Sequence, residues 1–356
     1  MITISLCMIV RDEEDVIERC LDSIKDAVDE IIIVDTGSKD KTIELAKKYT
    51  NNIYNFKWID DFGAARNYSF SKATKEYILW LDADDIFLDE DKEKLKYLKE
   101  TLDSSVDSVT MNYQTHFDEF GNPILTFKRN RLVKREKNFL WIGFIHEYLA
   151  VFGKAIDSDI KVVHRKLKGS GKRNLEIYQN KLKEGYVFNA RDTYYYGKEL
   201  FYNGMYHEAI YRLEEFMVMD GWVEDKIDAL YKIADCYDGI GNSKKARESC
   251  LRAFEYSSPR AESCYRLGYL FQKEERYNEA IYWYETATKL EVPENFLGFI
   301  SIDYWTWRPH LQLCVCYYKI NKIQESFEHN ELAAKFRPQD SNVINNREFF
   351  KSIGIQ

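Results

Sequence analysis

Short apolar runs open the chain, and stretches with helical spacing separate them. Residues 4–10, 30–35, 53–56 and 77–81 read as strands. Unbroken stretches such as Ile31-Ile32-Ile33-Val34 and Ile78-Leu79-Trp80-Leu81 suit strands buried on both faces. Between the first two, Val16, Cys20, Leu21, Ile24 and Val28 fall on one face of a helix over 12–27, and 41–49 repeats the pattern. Strands alternating with helices predict a parallel α/β sheet. Such sheets bind ligands beyond the carboxyl ends of their strands. Arg11-Asp12-Glu13, Asp35-Thr36-Gly37-Ser38 and Asp82-Ala83-Asp84-Asp85 lie just past the first, second and fourth strands. They are expected to crowd one edge and form the site.

From about residue 190 the rhythm becomes continuous helix pairs. Ala209, Ala246, Ala280 and Ser326 close four similar segments, with steps of 37, 34 and 46 residues between them. Gly197, Ala234 and Gly268 each stand twelve residues before their anchor, where the first helix of a pair would place them. Pro259, Pro293 and Pro338 end the later units. The segment 191–340 resembles the tetratricopeptide repeat, whose period is ~34 residues. The long last step predicts an insertion over 296–307, and 341–356 reads as a helical tail. Stacked helix pairs form a curved binding surface or a homodimer interface rather than a reactive centre.

Length and composition narrow the function classes. A chain of 356 residues, 45% hydrophobic and 31% charged, suits two globular domains, expected at 1–185 and 191–340. A net charge of -8 and a pI near 5.5 argue against a nucleic-acid surface. No apolar run approaches the ~20 residues that span a bilayer. Met1–Leu6 lacks the basic and small-residue features of a signal peptide. Seven scattered cysteines suit reduced thiols, so a cytoplasmic protein is expected. Cys314 and Cys316 point in different directions on a helix, which favours packing over metal binding.

The strand-end triplet Asp82-Ala83-Asp84 carries the sharpest chemistry. Displacing a sugar from a nucleoside diphosphate requires stabilising the negative charge that grows on the leaving group. A divalent cation such as Mg2+ or Mn2+, held by carboxylates, does this. Two Asp one residue apart can divide the work, Asp82 toward the ribose and Asp84 toward the metal; the alternative is a solvated acidic loop leading to Leu88-Asp89-Glu90-Asp91.

With these residues in view, the first domain resembles glycosyltransferase family 2. That family has the GT-A fold, a Rossmann-like, mixed and mainly parallel sheet, here followed by an all-α tetratricopeptide-like domain. Four motifs match in order: Ser5–Glu14, Ile33–Thr42 with Asp35, Asp61–Asn67 with its A-R-N, and Leu81–Asp85 with the D-x-D. The resemblance implies donor contacts from Val10, Arg11, Glu13, Asp35, Ser38, Arg66, Asp82, Ala83 and Arg131, and a metal held by Asp84 and His164. Arg131 lies in Arg129-Asn130-Arg131-Leu132-Val133, and His164 follows the strand-like Ile160–Val163. Gly143-Phe144-Ile145-His146-Glu147 resembles a G-x-x-H-E segment of relatives with tetratricopeptide-like domains, including glycosyltransferases of bacteriocin peptides. Glu147 is the candidate base of an inverting transfer, with His146 its competitor. The segment is not the H-E-x-x-H of a zinc protease, since position 150 is Ala.

Structural alternatives stand beside each of these roles. Asp12, Glu13, Glu14 and Asp15 could serve the positive end of a helix, and Ser38 or Asp40 could cap the one at Lys41. Arg66 could pair with a carboxylate, and His164 could simply end a strand. Residues 166–173, rich in Gly and Lys, fit a lid over a diphosphate or a plain linker. The expected function is a metal-dependent hexosyltransferase that uses a UDP-sugar on a peptide or protein acceptor. Alternatives are a lipopolysaccharide-core or cell-wall saccharide acceptor, or a non-catalytic repeat scaffold that senses nucleotide sugar.

Overall fold

In the computed structural model, which describes residues 1–117, 121, 123–165, 171–292 and 301–355, the apolar runs become the strands of one sheet. The first unit contains β1 (Ile4–Val10), α1 (Ile17–Ile24), β2 (Glu30–Asp35), α2 (Thr42–Ala46), β3 (Ile53–Asn55), α3 (Phe62–Phe70) and β4 (Tyr77–Trp80). It continues with β5 (Asp85–Ile86), α4 (Asp89–Thr101), β6 (Ser108–Phe117), β7 (Pro123–Lys134), β8 (Leu140–Ile142), β9 (Tyr148–Ala150), β10 (Ala155–His164) and α5 (Arg173–Lys183). The strand order is β3-β2-β1-β4-β7-β6-β10-β5, with β8 and β9 paired apart. β3·β2, β2·β1, β1·β4 and β6·β10 are parallel, while β4·β7, β7·β6 and β10·β5 are antiparallel. The sheet is therefore mixed, in an α/β unit.

Both faces of the sheet are covered, which is why its central strands lack polar alternation. Ile4, Leu6, Met8 and Val10 pack with Ile17, Cys20, Leu21 and Ile24 of α1 and Leu95 of α4. Cys7, Ile32, Val34, Ile78 and Trp80 pack on the other side with Trp141 and Leu149. One consequence of the strand order fixes the site. β4 is central but β5, four residues on, pairs with β10 at the far edge, so residues 81–84 carry the chain from the middle of the sheet toward that edge.

The first helix departs from its expected span. It begins at Ile17, and residues 12–15 form a loop instead of its first turn. Asp12 takes a positive φ of 54°, and the loop is stitched to the one after β2. The N–H groups of Asp12, Glu13 and Glu14 donate to Ser38 Oγ, Thr42 Oγ1 and Asp40 Oδ2. In return Asp12 Oδ1 and Glu14 Oε2 accept from the N–H groups of Lys39 and Lys41. Side chains of the second loop thus satisfy N–H groups of the first, which a helix starting at Asp12 would have left without intrahelical partners.

The chain divides compactly into Met1–Ile177 and Tyr178–Gln356, a division that falls inside α5. The second unit is helical: α6 (Ala190–Tyr202), α7 (Tyr206–Met217), α8 (Val223–Gly239), α9 (Ser243–Arg252), α10 (Ala261–Lys273), α11 (Tyr277–Lys289), α12 (Trp307–Lys319), α13 (Ile323–Phe336) and α14 (Ser341–Ser352). Ala209, Ala246, Ala280 and Ser326 are buried where the second helix of each pair meets the first. Gly197 and Gly268 permit close helix approach, since a Cβ there would lie 2.5 Å from Leu213 and 2.7 Å from the Tyr284 ring. All seven cysteines are free and buried, Cys314 and Cys316 among them. Residues 166–170 of the Gly/Lys segment, Pro293, and 296–300 of the expected insertion lie outside the described residues. No helix among those described is long and apolar enough to cross a membrane.

Candidate active site

The A-R-N segment on α3 ties the site together. Asp61 caps α3 by accepting from the Ala64 N–H at 2.8 Å, which fixes the start of the helix. Arg66 then reaches inward against the edge-to-face pair of Trp80 and Trp141, whose centroids lie 4.9 and 4.8 Å from its guanidinium carbon. Its Nη2 donates to Asp82 Oδ1 at 2.7 Å and its Nε to Glu147 Oε1 at 2.6 Å. Burial opposes charge on Asp82, but Arg66 and Arg131 hold its carboxyl well below the usual range. Asn67 exchanges two hydrogen bonds with the backbone of Trp141, at 2.9 and 2.8 Å. Gly63 touches the turn before Glu147, since a Cβ there would lie 2.4 Å from the Gly143 carbonyl oxygen. One helix therefore sets both the strand-end Asp82 and the distant Glu147.

A second cluster forms where the chain meets β10. His164 Nδ1 lies 3.3 Å from Asp84 Oδ1 and 3.1 Å from Asp85 Oδ1. Burial lowers the affinity of His164 for a proton, but the hydrogen bonds of Asp84 and Asp85 outweigh it and push the pKa up to about 9. Ligand atoms of these three residues all lie within 4.8 Å of one another, close enough to share a cation. Two carboxylates and an imidazole form a mixed oxygen and nitrogen donor set that could hold a divalent cation.

Asp85 has no exposure and is fully partnered. Tyr113 Oη donates to its Oδ1 at 2.9 Å, while Arg131 Nη1, at 3.0 Å, and the Asp82 N–H approach Oδ2. Asp85 lies in the strand-end segment expected at the site, but the sequence assigned it no separate role, and Tyr113 and Arg129 had none. The only signal was the doublet Asp84-Asp85, because adjacent residues in extended chain face opposite ways and one of the two had to turn inward.

The residues expected to contact a donor divide into two groups. Arg11 is exposed and Glu13 half-buried past β1, while Asp35 ends β2 with its Oδ1 accepting from the Ser38 N–H at 2.9 Å. Ser38 Oγ does not cap α2 but accepts from Asp12, tying the loop as described above. The other group lies inside. Val10 and Ala83 place their side chains in the core, and the Val10 carbonyl accepts from Thr36 N–H and Oγ1. Arg131, expected to touch the donor, is 0% exposed and sits behind Asp85 with its guanidinium 3.8 Å from the Trp80 ring centroid. A bulge explains the turn inward. Val109 faces Leu132 and Thr110 faces Asn130, leaving Arg131 as the extra residue of β7. His146 adopts a positive φ of 50°, beside Glu147 in the turn that follows Gly143.

Comparison with known proteins agrees with this arrangement. Residues 5–161 match the family model "Glycosyl transferase family 2", and residues 227–259 and 261–291 match "Tetratricopeptide repeat". The SPbeta prophage-derived glycosyltransferase SunS of Bacillus subtilis is 28% identical over 228 residues, 58% of this chain and 51% of its own length. Glycosyltransferase SunS of Bacillus phage SPbeta matches to the same extent. A TPR repeat-containing protein of Synechococcus elongatus is 51% identical over 85 residues, 24% of this chain and 21% of its own. The chain thus spans about half the length of the SunS relatives, and about a fifth of the other. Among solved structures, a MamA protein covers 46% of this chain and 81% of its own at 19% identity and a TM-score of 0.36. Residues 5–161 are thus similar to glycosyl transferase family 2, and residues 227–259 and 261–291 to the tetratricopeptide repeat.

Proposed function

We propose that this chain is an inverting, metal-dependent glycosyltransferase that moves a hexose unit from a UDP-sugar to a peptide or protein acceptor. The observation that carries the reading is the bridge from Asp82 through Arg66 to Glu147, beside the Asp84, Asp85 and His164 cluster. Asp35 and Asp82 hold the nucleoside, with Arg11 and Glu13 at the same edge. Asp84 and His164, joined by Asp85, would hold Mg2+ or Mn2+. When bound, that cation offsets the negative charge that gathers on the departing diphosphate.

Glu147 has the base's role. Its Oε1 is fixed by Arg66, and its Oε2 makes no hydrogen bond among the described residues. Oε2 takes the acceptor proton while the acceptor oxygen or sulfur bonds to the anomeric carbon. The bond from that carbon to the phosphate oxygen breaks, and its electron pair leaves with the nucleoside diphosphate. Trp80 and Trp141, in contact with each other, both pack on Arg66, and the pair that orients Glu147 is largely shielded from water. The tetratricopeptide repeats support a peptide or protein acceptor, since such helix pairs offer extended concave surfaces.

The test is a panel of UDP- and GDP-sugars incubated with the protein and Mn2+, with slow donor hydrolysis as the readout. Asp84→Ala is expected to abolish turnover while the protein stays folded; retained turnover overturns the metal role. Glu147→Gln is expected to bind donor normally and lose transfer, and unchanged transfer moves the base elsewhere.

A further inference from the structure

The three arginines around Asp82 are not equivalent. Arg66 is bound to Asp82 and Glu147, and Arg131 to Asp85 and the Trp80 carbonyl. The side chain of Arg129, two residues before Arg131 on β7, makes no hydrogen bond and no ion pair among the described residues. Its guanidinium carbon instead lies 5.8 Å from the Trp80 ring centroid, 5.4 Å from Tyr113 and 5.3 Å from Phe127. Tyr113 also lies beside the candidate cation cluster, its ring 5.6 Å from that of His164. Arg129 is half-buried, so it is neither solvated like a surface arginine nor neutralised like a core one.

Such a position is costly for a free cation. Burial comes first and the like charge of Arg131 second in weakening its hold on a proton, and Arg66 adds to the repulsion. Asp82 is within electrostatic reach, but its carboxylate is committed to Arg66. Aromatic faces attract a guanidinium yet supply no acceptor for its five N–H groups. The bulge at Arg131 turned that residue inward and left Arg129 as the unmatched charge of β7. A planar fork of donors held against rings, without a carboxylate, is suited to a bidentate oxyanion.

We infer that Arg129 is an oxyanion anchor for the bound donor, taking either a phosphate oxygen of the leaving diphosphate or a carboxylate on the transferred sugar. The inference rests on the glycosyltransferase reading for the identity of the ligand. The oxyanion site itself rests on Arg129 and its surroundings. Arg129 fixes the anion, and the Asp84 and His164 cluster acts on it from beyond Tyr113.

The experiment measures binding of uridine, UDP, UDP-glucose, UDP-glucuronate and inorganic pyrophosphate to the wild-type chain, R129Q and R129K, with Mn2+ present. A diphosphate contact predicts that R129Q loses about 10- to 100-fold in affinity for UDP and pyrophosphate, the range of a charge-assisted pair, and nothing for uridine. A sugar-carboxylate contact predicts unchanged UDP binding and loss of the preference for UDP-glucuronate over UDP-glucose. R129K should retain part of either effect, and R129M, which keeps the stem over the rings, replaces R129Q should that variant melt early. R129Q matching wild type with all three kinds of anion overturns the inference while leaving the glycosyltransferase reading intact. Wild type that binds no nucleotide overturns that reading; Arg129-dependent pyrophosphate binding would then still sustain the anion site, and its absence would end both.

Discussion

Arg66 Nε lies 2.6 Å from Glu147 Oε1, although 81 residues separate the two in sequence. The same guanidinium binds Asp82 at 2.7 Å, so one side chain ties together two carboxylates, one at the end of β4 and one in the turn after Gly143.

Removing that guanidinium should therefore harm both stability and turnover. Arg66→Ala leaves two largely buried carboxylates facing each other, and a broken buried pair costs about 3–5 kcal/mol. Arg66→Lys keeps the charge but, as a point donor, cannot hold both carboxylates in fixed geometry. It is expected to unfold near the wild-type temperature with kcat reduced at least ~10-fold, since about 1.4 kcal/mol of lost orientation suffices for that. Thermal melts alongside donor-hydrolysis rates check both variants, and a fully active Arg66→Lys protein would contradict the bridge.

Gly63→Ala probes the same bridge from the helix side. Its new Cβ meets a backbone carbonyl, that of Gly143, at 2.4 Å, and backbone cannot swing aside as a side chain can. Either α3 or the turn that carries Glu147 must shift. Overpacking of this kind costs about 1–3 kcal/mol. Misplacing a catalytic group by 1 Å can cost ~100-fold in rate, so activity should fall further than stability. Equal and small losses in both would mean that the two elements move together.

These contacts also mark the limit of what the sequence could reveal. β1, β2 and the start of β4 were legible because buried parallel strands are continuous apolar runs. The placing of Asp35 and Asp82 at strand ends was legible for the same reason. The burial of Arg131 was not, because a bulge is a register property of two strands, Val109 to Leu132 and Thr110 to Asn130, which no single stretch encodes. Arg66 presented two roles, donor contact and ion pair, and only long-range packing brings it between Asp82 and Glu147. The acidic run 12–15 looked like a helix start because its true partners, Ser38 to Thr42, lie in another loop.

Tyr113→Phe tests the candidate cation cluster without touching a ligand atom. The lost hydroxyl releases Asp85 Oδ1, which it holds at 2.9 Å beside His164. Partners of this kind orient metal ligands, and losing one weakens binding about 10- to 100-fold. Mn2+ titration of the two proteins should show that weakening, with little change in folding because Arg131 still holds Asp85 Oδ2. Undiminished Mn2+ affinity would place the cation away from Asp85.

The helical unit should lose stability in mild acid through a pair of histidines. His310 and His329 approach through their Nδ1 atoms at 2.9 Å, and the His329 ring stacks on Tyr317 at 5.3 Å. Burial, with His329 beside it, pushes the His310 pKa down to about 4, and burial also lowers that of His329. An unfolded histidine titrates near 6.5, so below that pH the unfolded chain takes up protons that the folded pair resists. The stabilisation is complete above pH 6.5 and is lost as the pH falls toward 4. For His310 it amounts to at most about 3 kcal/mol, reduced by the solvent that reaches its half-buried ring. Denaturant unfolding at several pH values, for wild type and His310→Phe, measures it. Wild type should lose stability more steeply than the variant between pH 6.5 and 4, while parallel curves would show that the pair does not titrate there.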